Sequence, residues 1–285
     1  APLSGGAGPM LTLRRTMLLT EADPIVDAAV FTLPGQQRLV VLEPERILIF
    51  DRNTTALTAP GASPAWTEPQ SFPIEHTRAY PRDLRGRIVA AQDHLFDAYL
   101  PGVACSGTSA GGQLAVTCGD SDDPWPVTST QRAFYNAMRD NFTGVLAPGF
   151  GMQLAPFYSA AELPHAVGSA TLLNEVNGRV LLIENSAAKL VSGASDWGSD
   201  LAVVRSGCGA GAQVLVSGSG SATTGDTLRA FEIPGRDAIP VSPALPVSGA
   251  ITSLSSGPDG ASATMIVRRD APTTYEVWNV AALCN

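Results

Sequence analysis

Short apolar runs, separated by turn residues, recur along the chain at intervals of roughly 40–70 residues, the mark of a stacked repeat. Two copies near the C-terminus are the clearest. One reads SDLAVV, QVLVSG, TLRAFEI over residues 199–233, and the next reads GAITSL, SATMIV, TTYEVWNV over residues 249–280. Laid side by side, Leu201 falls on Ile251, Val216 on Val267 and Phe231 on Trp278. Each copy reads as a meander of three strands with its core positions in the same order. A meander cannot bury both of its faces alone, so its copies must pack against one another. This predicts an all-β fold, a β-propeller of about five blades, with six or seven blades still open. A β-sandwich or an open β-solenoid is the rival, and large Trp-bearing repeats fit it less well.

Three more repeats follow from the same pattern. The first holds DAAVF, RLVVL, ILIFD and WTEPQSF (27–72), with EPER as a hairpin connection. The second holds RGRIVAA, HLFDAYL and QLAVTC (85–118), and the third FYSAAEL, ATLLNEV and RVLLIE (157–184). Asn177-Gly178 in the third is a strong hairpin signal. Between the second and third the pattern changes. Thr128 to Gln131 matches a capping box, and Ala133, Phe134, Ala137 and Met138 fall at helical spacing. A helix over residues 130–140 is expected there, inside an insertion of about 128–153. Residues 1–9 read as a flexible leader and 10–285 as one propeller domain. Residues 10–20, MLTLRRTMLLT, have strand character but no partner in the next repeat. They are expected to complete the last blade and so join the two ends of the chain.

The composition suits a folded, turn-rich chain: 45% hydrophobic, 15% charged, Gly 28 and Pro 22 in 285 residues. A net charge of −8 argues against nucleic acid or an anionic membrane surface as partner. Lys189 is the only lysine among 18 basic residues, a skew that matches a GC-rich bacterial genome. No apolar run approaches the roughly 18 residues of a membrane span. The chain opens on APLSGGAGP, which reads as a mature N-terminus after removal of a leader. Cys105, Cys118, Cys208 and Cys284 lack metal-ligand spacing, so two disulfides and an extracytoplasmic setting (periplasm, cell surface or medium) are expected. Of the three pairings, Cys105–Cys118 would staple one hairpin and Cys208–Cys284 would fasten the last repeat.

The segment DWGSDLAVV followed by GAGAQVLV, residues 196–218, resembles the FG-GAP or VCBS repeats of bacterial surface proteins. The resemblance implies a propeller and a secreted setting. That family's calcium loop alternates its acids as D-x-D-x-D-G, whereas this chain places only Asp196 and Asp200 around Gly198.

Candidate chemistry is sparse. Gly107-Thr-Ser109-Ala-Gly111 matches a nucleophile elbow, but a strand follows it where the elbow needs a helix. His76, His94 and His165 show no metal-ligand spacing, though His94 can reach Asp97. Asp120, Asp122 and Asp123 form an acidic turn that suits Ca²⁺ as a hard cation, yet no glycine sits at its bend and no glutamate closes it. Arg78, Arg82, Arg85 and Arg87 crowd together and suit an anionic ligand. Trp125, between two prolines, is a candidate ligand contact. Asn53 and Asn141 head glycosylation sequons, expected to stay bare in a bacterial chain.

No catalytic constellation or cofactor site emerges, and Ca²⁺ is the one metal the sequence offers a place for. The leading expectation is a non-catalytic propeller that acts as a protein-interaction or scaffold module. The alternatives are a carbohydrate-active or other hydrolase or lyase with its site in the central channel, and a carbohydrate-binding propeller. The contents of the channel discriminate: converging carboxylates with perturbed pKa values favour an enzyme, and a narrow or apolar channel favours a scaffold.

Overall fold

In the computed structural model, each apolar run read above is a strand. It describes residues 11–54, 65–77, 79–80, 84–111, 113–148, 153–164, 168–208, 211–220 and 224–284. Strand β1 is Leu11–Glu21. Blade one is β2 (Asp27–Leu33), β3 (Gln36–Leu42), β4 (Arg46–Asn53) and β5 (Gln70–Pro73). Blade two is β6 (Arg87–Ala90), β7 (Phe96–Leu100), β8 (Val103–Ala110) and β9 (Gln113–Asp120). Four two-residue strands follow: β10 (Trp125–Pro126), β11 (Arg132–Ala133), β12 (Tyr135–Asn136) and β13 (Asn141–Phe142). Blade three is β14 (Phe157–Pro164), β15 (Ser169–Glu175), β16 (Val180–Glu184) and β17 (Ala187–Leu190). Blade four is β18 (Leu201–Val204), β19 (Gln213–Gly218), β20 (Thr227–Glu232), β21 (Ile239–Pro240) and β22 (Leu245–Pro246). Blade five is β23 (Ala250–Ser256), β24 (Ser262–Asp270) and β25 (Thr273–Cys284), with β1 added outside β25.

The fold is thus a five-bladed β-propeller. Five buried apolar clusters lie between its blades, one at each interface around the ring. This geometry explains why the strands read as continuous apolar runs instead of alternating ones. In β3, Val40 and Leu42 pack toward blade two, while Leu39 and Val41 pack toward blade five. Both faces of a blade are buried, so both sets of side chains must be apolar. The repeat alignment also holds in register. Leu201 pairs Val216 where Ile251 pairs Val267, and Val214 pairs Phe231 where Met265 pairs Trp278.

The ring closes twice. Strand β1 pairs antiparallel with β25 from Leu11↔Cys284 to Glu21↔Tyr275. The disulfide Cys208–Cys284 ties the end of β25 to blade four across a separation of 76 residues, a loop whose closure is worth about 4 kcal/mol in the chain-entropy view. Cys105–Cys118 joins directly paired residues of the β8–β9 hairpin.

The helix expected over 130–140 is absent, and the described residues there form β11, β12 and a turn. The Thr128 hydroxyl does accept the Gln131 N–H at 3.0 Å, as a cap would. But the Val127 N–H donates to the Gln131 carbonyl, which closes a hairpin between β10 and β11. Of the four residues at helical spacing only Ala133 is buried; Phe134 and Met138 are exposed, Met138 to 90%. Burial alternates from Ala133 to Asn136 with a period of two. No helix of the described residues is long and apolar enough to cross a membrane.

Candidate functional site

Strands β2, β6, β18 and β23, edges of their sheets, and β14, which β13 meets only at Phe157, line a central channel. At the ends of these strands the channel opens into a wide mouth of about 770 Å³. At their beginnings it opens into a second cavity of about 400 Å³, and between the two lies a waist of only about 40 Å³.

The waist is closed by polar groups from all five blades. Asp27, the first residue of β2, is 2% exposed. Its carboxylate accepts the Ile88 N–H of blade two at 2.6 Å and the Ser253 hydroxyl of blade five at 3.0 Å. In blade three, the Ser159 hydroxyl donates to the Ser199 carbonyl at 2.7 Å, just ahead of β18. Arg85, ahead of β6, crosses the channel to Asp200 of blade four at 3.0 Å and also meets Asp140 of the inserted segment at 2.6 Å. Gly86 lies so close to Val26 and Leu42 that a Cβ there would sit 2.7 Å from each. A larger residue there would have to push both side chains aside.

The charges in the waist are tuned by burial and by one another. Burial pushes the Asp27 carboxyl up to about 6, against the pull of the Ile88 N–H and the nearby Arg87. Burial also lowers Arg87, with Asp27 opposing it. For Arg85 burial works against the charge, but Asp200 and Asp140 outweigh it and hold the guanidinium more basic than usual. Burial and then Asp140 raise the Tyr135 phenol, which donates to Asp140 at 2.7 Å.

Asp27 therefore favours folding most when protonated. Its contribution is complete below about pH 4, its unfolded value, and is lost as pH rises through about 6. Asp27→Asn should remove this dependence. Between pH 4 and 7 the native chain should lose about 3 kcal/mol of stability relative to Asp27→Asn. Denaturant melts of both across that window test it; parallel curves would show that Asp27 does not titrate there.

The wide mouth carries both signs of charge: Arg87, Arg132 and Arg205 against Asp93, Asp97 and Glu162. Several of these groups are already engaged. Glu162 accepts the Ser129 hydroxyl, which lowers its pKa. His94 lies between Asp97 at 2.7 Å and Asp93 at 2.6 Å, and its pKa is raised by Asp97 first.

The residues singled out from sequence fall in different places. Arg85 and Arg87 meet in the channel; Arg78, Arg82 and His165 lie outside the described residues. Trp125 is buried, stacked on Tyr135 with ring centres 4.6 Å apart. Ser109 sits exposed in β8 beside a hairpin, with strand β9 following. Asp120 ends β9, and Asp123 accepts the Ser121 hydroxyl at 3.1 Å. Asp196 is exposed at the surface while Asp200 is buried in the channel, so the two acids do not share one loop site. His76 stacks on Tyr80 and meets Glu45 at 3.1 Å. Among the described residues no group of three His, Cys, Asp or Glu side chains is arranged to hold a metal ion. Sequence reading missed Asp27, Ser159 and Ser253. One signal was present: Asp27 in DAAV and Asp200 in DLAV both stand where an inner strand begins.

No family model matches the chain, and the comparison with curated proteins returns no match. Solved structures do match in shape. One is the PQQ-bound form of an aldose sugar dehydrogenase from Streptomyces coelicolor, with 9% identity and a TM-score of 0.34 over 95% of this chain and 99% of that one.

Proposed function

We propose that this chain is a non-catalytic, extracytoplasmic binding propeller whose protein partner docks on the wide mouth of the channel. The observation that carries this reading is the closed waist. Asp27, the channel carboxylate whose pKa burial raises, has both oxygens occupied by Ile88 and Ser253 and is sealed from solvent. A general acid or base must reach a substrate, and this one faces only its neighbours. At the wide mouth, the carboxylates with a resolved shift, Asp93 and Glu162, move down, as suits charged contacts rather than proton transfer. The mixed charges of that mouth fit a partner surface of alternating sign. A glycan partner would want exposed aromatic platforms, whereas all four tryptophans are packed: Trp125 is buried and Trp66, Trp197 and Trp278 are half-buried. Two disulfides accord with an oxidising compartment.

The test is photo-crosslinking from Arg205 in an extracytoplasmic extract of the source cells, with Leu190, on the outer strand β17, as control. A discrete protein adduct from position 205 and none from 190 is expected. The reading is overturned if position 205 gives no adduct, or if chromogenic glycosides or esters are turned over in a way that Asp27→Asn abolishes.

A further inference from the structure

The cavity of about 400 Å³ on the face opposite the wide mouth has a composition of its own. Its walls include Ile25, Val26, Leu84 and Ile251, with Pro24 and Pro44 at the edge. This volume lies in the range of small-molecule sites, which pair apolar walls with a few placed polar groups. Three of its lining residues carry a buried polar atom with no hydrogen-bond partner: the Tyr80 hydroxyl, Thr252 Oγ1 and Arg268 Nε. Arg268 does lie 3.4 Å from Asp270, but as an ion pair without a hydrogen bond. Leaving a buried polar atom unpaired costs about 1–3 kcal/mol, so three around one cavity need an explanation.

We propose that this cavity binds an uncharged small molecule with an acceptor oxygen, such as a carbonyl, on an apolar body. All three groups donate: burial, then Glu45, pushes the Tyr80 phenol up to about 12, so it keeps its proton, and the threonine hydroxyl and guanidinium N–H are donors as well. The charged lining residues balance, Arg85 and Arg268 against Glu45 and Asp140, so the cavity offers no net attraction to an ion of either sign. The apolar walls would hold the body of the ligand. This site is separate from the wide mouth and does not depend on what docks there.

Three probes of equal length decide the ligand class: hexanamide, hexanoate and hexylammonium, titrated against the full chain by NMR. Hexanamide is expected to bind at least tenfold tighter than either ion. Thr252→Val and Tyr80→Phe each delete one donor and should weaken hexanamide roughly 2–10-fold. Without ligand, Thr252→Val should melt no lower than the native chain, because the hydroxyl it removes has no partner; this melt also reports that the variant folds. The proposal is overturned if hexanamide does not bind up to its solubility, if either ion binds as tightly, or if both variants bind hexanamide as the native chain does.

Discussion

Deleting residues 1–20 should lower the melting temperature by at least ~10 °C and make the protein aggregate, whereas deleting residues 1–8 should change it little. Strand β1 runs over Leu11–Glu21, so the shorter deletion stops before it. Leu11 and Leu13 are buried in the apolar cluster between blades four and five. Their burial is worth roughly 3–6 kcal/mol together. For a chain of this size each kcal/mol moves the melting temperature by ~2–4 °C. Other contacts are lost with the strand. The Leu11 N–H donates to the Val241 carbonyl of blade four at 2.6 Å, and Arg15 lies over the Trp278 ring at 4.8 Å. The deletion also bares β25, the longest strand of the ring, as an unpaired edge, and such edges template aggregation. The disulfide Cys208–Cys284 would still hold that strand to blade four. The experiment therefore separates two fastenings. Calorimetry showing the 20-residue deletion melting like the full chain would mean that the disulfide alone closes the ring.

The ring was legible in the sequence because a blade buried on both faces demands continuous apolar strands, and the turns between them need glycine and asparagine. Runs such as RLVVL and ATLLNEV carry that signal in a few residues. The helix over 130–140 failed for a physical reason. Helical spacing of apolar residues forms a helix only when the face they share is buried, and here Phe134 and Met138 point to solvent while Trp125, Tyr135 and Phe142 pack together. The contents of the channel were the least legible. Each blade contributes one or two polar residues to the waist, and these come together only when the ring closes. Asp27 and Ser253 are 226 residues apart, and Arg85 reaches Asp200 across 115. Nothing local distinguishes Ser253 from the other serines of its strand, so its role appears only in three dimensions. Arg85 and Arg87 stood out as a crowd of like charge, which suggested an anionic ligand. The structure pairs Arg85 with two carboxylates of the chain itself.

Arg85→Met should destabilise the protein by about 3 kcal/mol at neutral pH, the cost of leaving the buried Asp200 carboxylate without its cation. The guanidinium bridges Asp140 of the inserted segment and Asp200 of blade four; Asp140 is partly exposed and keeps the Tyr135 hydroxyl, so the loss falls mainly on Asp200. Asp200 is only 5% exposed, and beyond Arg85 its side chain accepts the Ser199 hydroxyl. Blades two and four are not neighbours in the ring, so this contact ties opposite walls of the channel. Replacement by methionine keeps the length and most of the apolar stem, and so isolates the loss of charge from the loss of packing. The pH response separates an electrostatic from a steric effect. An unpaired buried charge costs most where carboxylates are ionised, so the deficit should be larger at neutral pH than in acid. Arg85→Lys should lie between the two, because an ammonium retains the charge but cannot span both partners with a planar fork. Urea denaturation of the three proteins at pH 7 and pH 4 provides the measurement. A deficit in Arg85→Met that is the same at both pH values would show that Arg85 holds the channel by shape and not by charge.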